Sequence, residues 1–83
     1  MNPHRDIWKI GDRNPYIGQH IWVKWLRPWG KKPVGFEATG TLLATFVVNG
    51  RTLIGELLVK GPTGNTRKLT CPWSRRYLEI QLT

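Results

Sequence analysis

Eighty-three residues carrying 13 Lys and Arg against 5 Asp and Glu give a formal net charge of +8 and a pI near 10.4. A chain this short buries only about 60–65% of its unfolded surface, which leaves no room for a cofactor domain beside a substrate domain. With 40% hydrophobic and 11% aromatic residues the chain is too apolar for a disordered basic tail, so the composition describes one folded, Trp-rich basic domain suited to polyanionic partners.

In chain order, the opening residues Met1 to Asp6 are polar with no apolar run behind them, unlike a signal peptide. Residues 1–17 are expected to form an irregular arm, with Ile7, Trp8 and Ile10 docking on a domain formed by residues 18–83. Gln19 to Arg27 alternates, pointing Ile21, Val23 and Trp25 inward, and Gly18 and Pro28 set its limits. The stretch from Arg27 to Pro33 reads as a loop from its Pro and Gly content.

Residues 34–60 carry the clearest pattern. Every second position from Val34 reads Val34, Phe36, Ala38, Gly40, Leu42, Ala44, Phe46 and Val48, with Glu37, Thr39, Thr41 and Thr45 between them. A period of two is a strand period. Asn49-Gly50 follows and predicts a two-residue hairpin turn, because both residues tolerate positive φ. That turn sets Val48 against Arg51, Phe46 against Leu53, Ala44 against Gly55, Leu42 against Leu57 and Gly40 against Val59, with Leu42, Phe46, Leu53, Leu57 and Val59 as core. The opposite face holds Leu43, Val47, Ile54 and Leu58 among threonines, either packed within a strongly bent hairpin or serving as a self-association surface. Gly61 to Asn65 is a further turn, Thr66 to Cys71 a short strand, Pro72 to Arg76 one tight turn, and Tyr77 to Leu82 a last strand. No segment has a helical period.

Five short strands in so small a chain solve their edge problem by closing or half-closing. The expected fold is all-β, a single five-stranded, partly open antiparallel β-barrel with a long central hairpin over residues 34–60. Gly18-Gln19-His20-Ile21-Trp22-Val23-Lys24 opening the barrel and Pro72-Trp73-Ser74-Arg75-Arg76-Tyr77-Leu78 closing it resemble the Src-homology-3-like small barrels over about residues 18–82. The resemblance implies a one-turn helix before the last strand, and a first long loop lying near that turn. The chain departs from the peptide-binding members, whose first loop is acidic: here that loop holds Arg27, Lys31 and Lys32 and no acid.

Catalytic constellations are missing from the pattern. Asp6, Asp12, Glu37, Glu56 and Glu79 are scattered, Ser74 is the only serine, and there is no phosphate loop or nucleophile elbow. One cysteine, Cys71, allows no internal disulfide and suits a reducing compartment. With His4 and His20 it offers no zinc-type spacing, so neither a metal nor a cofactor is expected. A Cys71–His20 pair is conceivable in space, but a lone cysteine is usually a small buried hydrophobe. No apolar run approaches the roughly 18 residues of a membrane span, and the expectation is a soluble, cytoplasmic, non-catalytic protein.

Charge and tryptophan remain as site candidates. Lys24, Arg27, Lys31 and Lys32, then Arg67 and Lys68, then Arg75 and Arg76 form three basic clusters, with Arg5, Lys9 and Arg13 adding charge at the amino terminus. Merged, they would neutralise several phosphates. Trp25 has the inward phase of a core residue and Trp8 would staple the arm. Trp22, Trp29 and Trp73 stand beside cations as possible stacking planes, Trp29 and Trp73 being the candidates for base contact. The leading expectation is a nucleic-acid-binding barrel, for DNA or RNA, using mainly phosphate contacts. The alternative is an assembly or inhibitor module of a mobile-element type, binding an acidic protein or forming a homodimer through Leu43, Val47, Ile54 and Leu58.

Overall fold

A computed structural model describes residues Met1 to Thr83. The alternating segments become β1 (His20–Trp25), β2 (Glu37–Val48), β3 (Thr52–Lys60), β4 (Thr66–Pro72) and β5 (Leu78–Leu82). All neighbours are antiparallel in one sheet of order β4-β3-β2-β1-β5. Ile21, Val23 and Trp25 of β1 meet Leu42, Leu57, Cys71, Leu78 and Ile80 in a single core completed by Ile7 and Trp73. Because every strand contributes to that one cluster, the sheet must wrap around it. The edges β4 and β5 stay unpaired with each other, leaving a small, partly open barrel without an α-helix.

The central hairpin differs from its expected register in a way that moves side chains between faces. Asn49 (φ 54°) and Gly50 (φ 71°) adopt the positive φ the turn requires, and the Arg51 amide donates to the Val48 carbonyl at 3.2 Å. The ladder nevertheless opens with Val48 opposite Thr52, so Arg51 is an extra residue on the β3 side. A second irregularity between Leu42 and Ala44 inserts Leu43 on the β2 side and restores Leu42 opposite Leu57. Between these two irregularities the pairing is one residue off, and a one-residue slip exchanges the faces. Phe46 therefore lies opposite Ile54 on the outer face instead of in the core, while Thr45, expected outside, is buried opposite Gly55. Leu53, also expected in the core, sits near the tip and is 40% exposed. Val34 precedes β2 and is exposed.

The arm is more ordered than its sequence suggests. Two short 3-10 turns, Arg5–Trp8 and Gly11–Arg13, cross the barrel, Ile7 is buried in the core, and Trp8 and Ile10 pack against it. Buried Asn14 pins this path: its amide donates to the carbonyls of Ile7 (2.6 Å) and Lys9 (3.1 Å), and its oxygen accepts from the Tyr16 amide (2.8 Å). The Thr45 hydroxyl donates to the Lys9 carbonyl (2.8 Å) and accepts from the Gly11 amide (2.9 Å). The register slip in β2 thus places the hydroxyl that ties down the arm.

Candidate nucleic-acid interface

Between β4 and β5 the chain turns once, the Ser74 carbonyl accepting from the amides of Tyr77 (3.0 Å) and Leu78 (2.9 Å). Trp73 leads into this turn and is the residue whose placement departs furthest from the sequence reading. Its indole is 1% exposed, lies on Gly55, and donates from Nε1 to the Ile7 carbonyl at 2.7 Å. A buried ring bonded in this way has no free plane for a base. Trp8 is half-buried and leans on Trp73 with ring centroids 5.5 Å apart and planes tilted by 54°.

The arm, the hairpin tip and the turn after β4 enclose an open groove of about 510 Å³. Trp8, Leu53 and Trp73 supply its apolar lining, and the exposed Arg5, Lys9 and Arg75 line it as well. Asp6 is the one acid there, and its carboxylate is held by Lys9 at 3.4 Å. It also lies 3.4 Å from His4 Nδ1, which accepts from the Asp6 amide at 3.2 Å.

Beside the groove, the Leu26 amide donates to the Tyr77 carbonyl at 2.7 Å. That bond places Arg27, the next residue in the chain, beside the turn that carries Arg75 and Arg76. Arg27, Arg75 and Arg76 are exposed and, like Arg5, belong to no ion pair. The loop after β1 folds back on itself through a bridge between Trp29 and Lys32. Lys31 is exposed at its tip, while Lys32 sits with its ammonium 4.5 Å from the Phe36 ring centroid. Trp29 packs against the core and its carbonyl accepts from Trp25 Nε1 (3.4 Å), leaving the ring half-buried.

The remaining expected site residues lie elsewhere. Lys24 is flanked in register by Glu37 and Glu79 on the outer face of β1, and Trp22 donates to Glu37 at 2.9 Å on the same face. Arg67 and Lys68 begin β4, Lys68 lying 3.9 Å from Glu56. From Arg67 to Pro72 is roughly 16 Å of extended strand, so this pair is far along the barrel from Arg75 and Arg76. The proposed self-association residues do not form one face: Ile54 is buried, Leu43 is the bulged residue, and the slip carries Val47 to the side opposite Leu58.

Cys71 is fully buried, and burial pushes its thiol from the ordinary 9.0 up to about 12, which suppresses the reactive thiolate. His20 is exposed with its Nδ1 2.6 Å from the Thr83 hydroxyl. No three His, Cys, Asp or Glu side chains group as metal ligands would, and no helix is long and apolar enough to cross a membrane. Fold and site together define a small all-β domain with a basic, indole-lined groove at one end of its sheet. Comparison with protein-family models, curated proteins and solved structures gives no match.

Proposed function

We propose that this domain binds nucleic acid without catalysis, through the end of the barrel where Arg5, Lys9, Arg27, Arg75 and Arg76 converge. The observation that carries the reading is the distribution of acids. Glu37 and Glu79 flank Lys24, Glu56 faces Lys68, and Asp12 sits in the Gly11–Arg13 turn outside the groove lining, so Asp6 is the one acid that lines the groove. Arg5, Arg27, Arg75 and Arg76 have no carboxylate partner there and Lys9 shares the single acid Asp6, and each phosphate contact such cations make releases counterions. Contacts of this kind position a nucleic acid without reading its sequence. The scattered acids and the buried Cys71 support a non-catalytic role, and the unpaired cysteine suits a reducing, cytoplasmic compartment. The strand order, with a single turn between β4 and β5, supports membership of the Src-homology-3-like small barrels.

The test is an electrophoretic shift with single- and double-stranded DNA and RNA at two salt concentrations, repeated with Arg75→Ala/Arg76→Ala. The reading expects a low-salt complex weakened by salt and by the double variant. Absence of any complex at low salt overturns it. A second reading rests on the hairpin tip, where Val47, Val48 and Leu53 are exposed to 44%, 38% and 40%: self-association through that apolar tip would appear as a concentration-dependent dimer in light scattering, abolished by Leu53→Asp.

A further inference from the structure

We propose that the groove selects single-stranded over double-stranded nucleic acid by stacking a base on Trp8. This rests on the nucleic-acid reading and names its substrate class. The groove lining combines two chemistries, exposed cations and apolar side chains. Arg5, Lys9 and Arg75 suit phosphates, whereas Trp8 and Leu53 beside them are apolar. A duplex presents sugars and phosphates outward and keeps its base faces stacked inside, so it can use the cations but offers no base face to the indole. A single strand can turn a base onto an indole while its backbone stays on the cations.

The indole is also held in place before any ligand arrives. Trp8 leans on Trp73, and Trp73 is fixed by its bond to the Ile7 carbonyl and by its seat on Gly55. A contact surface ordered in advance loses less freedom on binding. Charge complementarity points the same way, since Arg5 and Arg75 line the groove unpaired while Lys9 and Asp6 offset each other.

The test compares binding of an oligothymidine of about 12 nucleotides with that of a duplex of the same length at one salt concentration. Wild type is expected to prefer the single strand at least about fivefold. Trp8→Leu keeps apolar filling but removes the stacking plane, and should weaken single-strand binding about tenfold while leaving duplex binding within about threefold. Trp8→Phe should stay within about threefold for both. If Trp8→Leu does not fold by circular dichroism, the indole Nε1–H resonance of Trp8, assigned in wild type with Trp8→Phe, decides: it should shift on adding the oligothymidine and not on adding the duplex. Equal affinity for both ligands, or an unmoved Trp8 resonance, overturns the inference while leaving the basic-end reading intact. No binding of either ligand at low salt overturns both.

Discussion

Gly55→Ala tests the construction beneath the groove. A methyl group at this position would fall 2.7 Å from Cδ2 and Cζ3 of Trp73 and closer still to Cε3, against an ordinary carbon contact of about 3.5–4.0 Å. The indole must therefore move by about 1 Å or more. It cannot do so freely, because its Nε1 donates to the buried Ile7 carbonyl at 2.7 Å and its ring supports Trp8. Overpacking costs about 1–3 kcal/mol, and stretching a buried hydrogen bond adds about 1 kcal/mol or more. The expected loss is about 2–4 kcal/mol, a large share of the roughly 4–12 kcal/mol typical of a domain this size. Urea unfolding followed by circular dichroism measures it, and Tm should fall by roughly 10 °C or more. Gly50→Ala is the control: at φ 71° with nothing within 4 Å, it should cost only about 1–2 kcal/mol through backbone strain. A Gly55→Ala protein within about 0.5 kcal/mol of wild type, or more stable than Gly50→Ala, would refute the placement of Trp73.

Other consequences follow from the same geometry. Arg75→Ala/Arg76→Ala should reduce the slope of log affinity against log salt by about 2, whereas Arg67→Ala/Lys68→Ala, at the far end of β4, should change affinity less than about threefold. Asn14→Ala removes bonds to Ile7, Lys9 and Tyr16 and should destabilise by about 1–3 kcal/mol, with faster proteolysis of the arm before the barrel. Cys71 should resist thiol reagents in the native protein at pH 8 and react only on unfolding. Its thiol stays protonated up to about 12 when folded but ionises from 9.0 when unfolded. The unfolded state therefore binds fewer protons above pH 9, and stability should fall there by up to about 1.4 kcal/mol per pH unit, an effect that Cys71→Ala would remove.

Much of the architecture is legible in the residues. The alternation of Ile21, Val23 and Trp25, the Asn49-Gly50 turn and the pairing of Leu42 with Leu57 all appear in the structure. The slip between them is hidden because the extra residues at Arg51 and Leu43 cancel, and because Thr45 and Phe46 suit either face of a bent strand. The site is harder to read. Pro72-Trp73-Ser74-Arg75-Arg76 resembles an exposed turn, yet the indole is buried. The available signal is Gly55, a lone glycine inside a strand, where another group commonly approaches the backbone. The expected merging of the three basic clusters is also incomplete, because the extended β4 separates Arg67-Lys68 from Arg75-Arg76. Trp8, read as a staple for the arm, does pack there and also lines the groove.

The most direct test of the nucleic-acid reading is the affinity of the intact protein for a short fluorescent oligonucleotide between about 50 and 200 mM salt. If Arg5, Lys9, Arg27, Arg75 and Arg76 each meet a phosphate, the log–log slope should be about −3.5 for a single strand and about −4.5 for a duplex, a loss of roughly a hundred- to five-hundred-fold across that range. A slope near zero, or no binding at the lower salt, would contradict it.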